Sequence, residues 1–430
     1  MDMKPIKIKD LSPKDIDKIM QRSMEDISAI FDDIRKIVQD VRVRGDLSLL
    51  DSSREFKKDV KREDLEVTKG EIEKAHKVLE PDIINSLRKA AENISKFHRA
   101  QIEKEMWSIE VSEGILAGRV TRPMDRVGCY IPGGMAAYPS TTLMTILPAK
   151  IAGVKEVVAT TPAGEGMTVN PATLVAADIA GCDRIFKAGG PWGIAAMAYG
   201  TGTFPRVDKI VGPGNKYVTA AKMIVYGQVD IDSPAGPSEA LILADHSGDP
   251  RFIAADFLAQ VEHDPVSAAI LVTTSKELAQ SVCDIINREF DSLPRKDILE
   301  SSLQKHSRVV ITDDMDQAIE FSNEYAPEHL QIITEDPFST LESIRHAGSI
   351  FLGPYSPVPA GDYASGTNHV LPTGRCARMF SGLSVDDFMT RPTFQHLTRE
   401  GLESIRETVV TLADAEGLPL HARAVDVRFK

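Results

Sequence analysis

Residues 156–187 read EVVATTPAGEGMTVNPATLVAADIAGCDRIFK. The stretch opens on a β-rich apolar run at 156–161, crosses a Gly/Pro/Asn loop into a helix candidate at 171–180, and closes on a second β-rich run at 184–187. Further along, 207–211 reads as a strand, with helix candidates at 193–199 and 216–226. Beyond the loop SPAGPSE (233–239) the alternation resumes, with strands predicted at 241–244, 269–273, 308–312 and 349–352. Strands separated by helices of this length make parallel βαβ units, so the predicted class is α/β with two doubly wound halves. A length of 430 residues agrees, being too great for one compact core.

The flanks read differently. Ser12-Pro13 with Asp15 is a capping-box-like helix start, and apolar residues then recur at helical spacing to about residue 41. Another helix starts at 68–71 and is interrupted by Pro81, so the first stretch is expected to be mainly helical. After about residue 383, Leu402, Ile405, Val409 and Leu412 form a helical stripe that reads as intramolecular core, with dimerisation as a secondary reading. A late helix carrying Glu416 and His421 could complete a site elsewhere.

Composition excludes several function classes. Hydrophobic residues make up 42% and charged residues 26%, as in ordinary globular proteins, and the formal charge of −13 disfavours nucleic acid or an anionic membrane as partner. The Lys/Arg cluster at 57–62 is interrupted by acids and reads as solvated surface. The start, MDMKPIKIKD, has no apolar stretch, so no secretory signal is expected, and no segment approaches the roughly 20 apolar residues of a membrane span. Cys129, Cys182, Cys283 and Cys376 show no CxxC spacing, which argues against a disulfide framework and a thiolate zinc site. A cytoplasmic location is expected, and any metal should take nitrogen and oxygen ligands.

Chemistry concentrates in short, turn-rich segments. Glu328-His329 lies in EYAPEHL before the predicted strand QIIT, and Asp362 and His369 lie in PAGDYASGTNHVLP. Imidazoles and carboxylates gathered in this way are costly to bury unless they bind a metal, pair or move protons. An acid and a base at a strand edge could activate an alcohol and a water, the imidazole having an ordinary pKa near 6.5. Asp249-Pro250 starts a helix running towards Asp264; Gln260 and His263, three apart, share a face that could hold one ion, while Glu262 points elsewhere. That pair is otherwise an ordinary polar helix face, so distant ligands are required, with Asp362 and His421 as candidates. VGPGNKYV follows a strand and opens a helix, where backbone N–H groups could face a phosphate or ribose, but it lacks the third glycine of the usual dinucleotide fingerprint.

Taken together, YIPGG with Ser140-Thr141, VGPGN, IDSPAGPSE, AQVEHD, NEYAPEHL, GDYASGTNHVLPT and AEGLPLHA make the chain resemble the histidinol dehydrogenase family along nearly its whole length. The resemblance implies two incomplete Rossmann-like doubly wound domains with smaller helical N- and C-terminal segments. It implies a division into residues 1–24, a helical segment; 25–128 with 239–383, a first α/β domain; 129–238, a second, NAD-contacting domain; and 384–430, a helical dimerisation segment. The implied reaction is two successive NAD-dependent oxidations of L-histidinol through L-histidinal to L-histidine. Zinc would be held by Gln260, His263, Asp362 and His421, as an anchor for the substrate more than a Lewis acid. His329 would be the general base, and Glu328 would polarise the water that hydrates the aldehyde. Ser140, Ser238, His369 and Glu416 would contact substrate, along with His329 and the metal ligands, and Tyr130 and Asn215 would contact NAD. The resemblance further implies an intertwined homodimer in which the partner supplies Glu416 and His421. One departure is Trp192 in GPWGIAAMAYGT, where many family members carry glutamine; the indole either stacks on the cofactor or packs as core.

Other readings remain at this level. A related zinc-dependent dehydrogenase acting on another small polar alcohol is disfavoured by Ser140, Glu416 and the run GDYASGTNHVLPT. A non-catalytic metal-binding protein would not need Glu328 and His329 beside the ligands.

Overall fold

The computed structural model describes residues 1–21, 27–133, 137–234 and 236–430. Its sixteen strands among these residues are β1 (Ile6–Lys7), β2 (Met106–Ser112), β3 (Ile115–Val120), β4 (Arg122–Pro123), β5 (Arg126–Tyr130), β6 (Glu156–Thr160), β7 (Arg184–Phe186), β8 (Lys209–Val211), β9 (Asp230–Ile231), β10 (Glu239–Ala244), β11 (Ala268–Thr273), β12 (Arg308–Ile311), β13 (His329–Ile333), β14 (Ser349–Leu352), β15 (Met389–Thr390) and β16 (Thr393–Leu397). Two sheets are parallel throughout: a six-stranded one ordered β1-β12-β11-β10-β13-β14, and a five-stranded one ordered β7-β6-β5-β8-β9. Apart from the edge strand β1, each winds outward from one inner strand, β10 or β5, and then returns to the other side of that strand. The order therefore reverses between β10 and β13 in one sheet and between β5 and β8 in the other.

Burial explains why the central strands read as unbroken apolar runs. Every residue of β10 and β11 is buried, because helices cover both faces of a parallel sheet. The expected doubly wound α/β class is therefore the one observed.

Within residues 25–128, which the expected division grouped with 239–383, the helices between residues 31 and 99 pack on residues 129–238. The helix Phe31–Arg44 packs on helices Gly190–Tyr199 and Lys216–Val225, and helices Lys69–Val78 and Pro81–Arg99 pack on Pro171–Ile179 and Pro139–Ala152. Ile34, Val38 and Val41 enter one apolar cluster with Ile194 and Val218, while Leu87, Ala91 and Ile94 enter another with Leu143 and Ile146. These helices thus cover the five-stranded sheet, because their apolar stripes meet helices of residues 129–238.

Local signals fare well in detail. Asp15 and Ser12 exchange capping bonds, with Pro13 as the first helical residue. Thr68 and Glu71 form a capping box, but Pro81 opens a new helix and does not break the old one, since a first-turn proline needs no N–H partner. The mainly helical first stretch also holds the hairpin β2–β3, whose strand β2 is exposed along its length. Likewise, the C-terminal segment is not purely helical: β16 pairs antiparallel with β3. The stripe on helix Arg399–Ala415 is not core either. Leu402, Ile405 and Val409 are only half-buried and line a groove with Phe429, while Leu412 is exposed. None of the four cysteines is paired, and no helix among the described residues is long and apolar enough to cross a membrane.

Candidate active site

The reversal points of the two sheets meet around one cavity. Strands β10 and β13 present their amino ends to it, through Ser238 and Glu328-His329, whereas β5 and β8 present their carboxyl ends, through Tyr130 and Pro213 to Asn215. Its volume is about 410 Å³, within the range of small-molecule sites. For the five-stranded sheet this is the usual crevice of an open α/β fold.

The acid–base pair owes its placement to a sharp chain reversal. Helix Met315–Tyr325 ends at buried Ala326, whose φ of 49° is the left-handed conformation that costs a non-glycine residue energy. The chain then enters β13, and Gly348 N–H and Ser349 N–H bind the carbonyls of Pro327 and Glu328 at 2.9 Å each. Both side chains of the pair are buried as a result.

Each carries a defined set of partners. Glu328 Oε2 accepts from Ser238 Oγ at 2.8 Å and from Glu239 N–H at 2.9 Å. Burial raises its pKa, against the lowering effect of His329. His329 Nδ1 lies 3.1 Å from the Glu239 carbonyl, so this nitrogen carries the proton and donates. Its Nε2 lies 3.7 Å from Asp362 Oδ1, an ion-pair separation, and has no hydrogen-bond partner among the described residues. Burial alone would depress the pKa of His329. The charges of Glu328 and Asp362 outweigh it and raise the value to about 9. Asp362 is held below the usual carboxylate range because the His329 interaction, with help from His369 and His263, overcomes its burial.

His369 is already committed on both ring nitrogens. Nδ1 donates to the Asp362 carbonyl at 2.8 Å, and Nε2 lies 3.1 Å from Thr141 Oγ1. Burial depresses its pKa, which favours the neutral ring this arrangement needs. It therefore ties the Asp362 segment to helix Pro139–Ala152, the helix that also carries Ser140.

The metal candidates fall in different places. Asp249 caps the helix Pro250–Val261 as expected, and Ile253, Phe257 and Val261 bury its apolar face. Gln260 is buried near the helix end and donates its amide to Ser238 Oγ at 3.1 Å; its carbonyl oxygen accepts no hydrogen bond among the described residues. His263 follows in a turn, exposed at the cavity wall with Asp362. Gly361, beside Asp362, is part of the short helix Val358–Tyr363, and a Cβ there would enter the Phe351 ring. His421 and Glu416 are exposed near the C-terminus and do not line the cavity. No three His, Cys, Asp or Glu side chains converge on one ion position among the described residues. His263 and Asp362 line the cavity, while Gln260 does not and reaches it only through its bond to Ser238; an amide oxygen, an imidazole and a carboxylate are donors of the kind that would suit a borderline-soft cation such as zinc.

Cofactor candidates also divide. Tyr130 is buried, and its hydroxyl accepts the Gly190 N–H at 3.0 Å. Gly212 has φ 120°, and a Cβ there would collide with the Tyr130 carbonyl, so the VGPGN turn needs glycine for close approach. Asn215 Oδ1 caps the next helix at Tyr217 and Val218 N–H. Trp192 is half-buried against the core of the five-stranded sheet and is not among the residues lining this cavity.

Residues given no role from sequence include Glu239, Thr141, Tyr138 and Tyr363. Glu239 ends the SPAGPSE loop, but nothing local marks it as facing Glu328, 89 positions away.

A sequence model of histidinol dehydrogenase matches residues 20–429. The histidinol dehydrogenase of Methanothermobacter thermautotrophicus is 50% identical over 425 residues, covering 99% of both chains. That of Methanococcus maripaludis is 49% identical and covers 98% of this chain and 99% of its own. The crystal structure of histidinol dehydrogenase from Elizabethkingia anophelis superposes with a TM-score of 0.94 at 40% identity, covering 99% of this chain and 98% of that one. With a parallel α/β scaffold, a buried Glu-His pair and near full-length similarity, this chain belongs to the histidinol dehydrogenase family.

Proposed function

We propose that the chain oxidises L-histidinol to L-histidine through L-histidinal, in two NAD-dependent steps at this one cavity. The observation that carries the reading is His329: its Nδ1–H is fixed on the Glu239 carbonyl while Nε2, buried and unbonded, is directed at the cavity side of Asp362. In the first step Nε2 accepts the hydroxyl proton of the alcohol. Hydride leaves the carbinol carbon for NAD, and His329 passes its proton to solvent before the second step. There Glu328 polarises the water that adds to the aldehyde, and the hydrate gives a proton to His329 and a hydride to a second NAD.

The binding groups follow from the same geometry. Gln260, His263 and Asp362 would hold zinc, which supplies a fixed positive charge that anchors the substrate's imidazole and amine. A cation held there would offset the charge of Asp362, which otherwise helps keep the proton on His329. Ser238 links the two functions, since its hydroxyl donates to Glu328 and accepts from Gln260. Ser140 and His369 line the substrate side. NAD, the two-electron acceptor, would lie against Tyr130 and the Asn215 turn. A neighbouring cavity of about 750 Å³ shares Pro132 and Gly133 with the catalytic one and offers room for the rest of a dinucleotide. Trp192 remains a candidate for this side only through its place at the start of the helix Gly190–Tyr199.

Glu416 and His421 come to a site from a second copy in this reading, as an intertwined homodimer. Exposed apolar residues support it: Met106, Ile109 and Val111 on β2, and Leu412, Leu418 and Leu420 near the C-terminus. Unpaired thiols fit a reducing, cytoplasmic location. The test is stoichiometry. Purified protein given histidinol and excess NAD yields two NADH and one histidine per substrate; one NADH, or none, refutes the assignment.

A further inference from the structure

We infer that Glu239 is the positioning residue that aligns both members of the Glu328–His329 pair, an inference that rests on the function proposed above. Three of its groups take part. Its backbone N–H donates to Glu328 Oε2 at 2.9 Å, its carbonyl accepts from His329 Nδ1 at 3.1 Å, and its carboxylate Oε1 accepts the Glu328 backbone N–H at 3.2 Å. The two strands it joins are neighbours, with Ala240 opposite His329 in a parallel register. A parallel ladder alone could hold the backbone of β13 from His329 onward. On the β10 side it does not reach the Glu328 N–H, which precedes the strand, and β14 holds only the Glu328 carbonyl, through Ser349 N–H.

The side-chain bond supplies what the ladder lacks. Glu239 is 2% exposed, and burying a carboxylate is expensive unless it is fully engaged. An apolar residue would pack at the start of this otherwise apolar strand at less cost. The acid at this position therefore acts on the segment it contacts. By fixing Glu328 N–H the carboxylate sets the rotation of the residue whose side chain must face water, while the backbone carbonyl, which any residue here would supply, accepts from His329 Nδ1 and leaves Nε2 directed at Asp362. Displacing a catalytic group by about 1 Å can cost about 100-fold in rate.

The test uses the holoenzyme and two variants, Glu239→Ala and Glu239→Gln, assayed separately with histidinol and with histidinal. Glu239→Ala should lower kcat by about 10- to 100-fold, with KM for histidinol and bound zinc little changed. The loss should be greater with histidinal, because that half-reaction uses Glu328. Glu239→Gln, whose amide oxygen can still accept the Glu328 N–H, should recover most of the lost rate. Equal losses in both half-reactions, a rise in KM matching the fall in kcat, or a glutamine variant as poor as the alanine one would overturn the role. If Glu239→Ala fails to fold, the glutamine variant decides through its kcat ratio for the two substrates: an unchanged ratio with full activity supports positioning through the retained acceptor, and a uniform loss overturns it. Failure of the wild-type protein to form two NADH per histidinol would instead remove the functional reading beneath it.

Discussion

Replacing His329 by asparagine separates proton transfer from everything else the residue does. The asparagine amide can reach the place of Nδ1 and keep donating to the Glu239 carbonyl, so the start of β13 keeps its hydrogen bond. Glu328 retains its bonds from Ser238 and Glu239 N–H, neither of which involves the imidazole. What vanishes is Nε2, the buried ring nitrogen that faces Asp362 and has no hydrogen-bond partner among the described residues. General-base catalysis is worth about 10²- to 10⁴-fold, so kcat should fall by that factor, or roughly 3–5 kcal/mol in the barrier. KM for histidinol and zinc content should hold, since Gln260, His263 and Asp362 are untouched. Steady-state NADH formation and metal analysis on the same preparation measure all three quantities. The matched control is His263→Asn, which should lose zinc and histidinol binding together. Retention of kcat within about threefold in His329→Asn, or equal zinc loss in both variants, would refute the division of roles.

Further consequences concern the scaffold around the site. Lys222 and Asp232 form a buried ion pair in which Lys222 also donates to the Gly212 carbonyl and Asp232 accepts the Gly212 N–H, so the pair clamps the turn leading to Asn215. Lys222→Met strands a buried carboxylate and should cost about 3–5 kcal/mol in denaturant unfolding while raising KM for NAD; loss of stability with unaltered NAD affinity would disconnect the clamp from cofactor binding. His98 is buried, donates through Nδ1 to the Ile94 carbonyl, and has its pKa pushed down by burial. The unfolded imidazole protonates first as pH falls, so the stability it contributes is whole above about pH 6.5 and is lost as pH drops through the lower folded value. The urea midpoint should therefore fall less between about pH 7.5 and pH 5.5 in His98→Gln than in the wild type, and identical falls would exclude His98 as a source of the slope.

Much of the scaffold was legible in the chain because its signals are local. The run at 156–187 has its strand, loop, helix and strand within one or two residues of the predicted bounds, since a buried parallel strand must be apolar and its crossover helix must follow at once. The helix starts at Ser12, Thr68 and Asp249 were equally readable, each being set by side chains two or three positions away. The hairpin β2–β3 escaped because its exposed strand lacks a buried face to impose alternation, and it is completed only by β16, nearly 300 positions on.

The amino-acid order by itself determined the α/β class, the crowding of acids and imidazoles in turn-rich segments, and the identity of the side chains able to move a proton or hold a cation. Only the tertiary structure decided which of them meet. It brought Glu328, His329, Asp362, His263 and Ser238 to one cavity wall, put Trp192 against the core, left Glu416 and His421 exposed, and set the helices of residues 31–99 on the five-stranded sheet. Pairing of this kind is long-range: the Glu239 to Glu328 contact spans 89 residues and exists only because β10 and β13 are neighbours in a parallel sheet. Periodicity and capping act within a few residues, whereas strand order depends on the packing of the whole layer, which no short window of sequence contains.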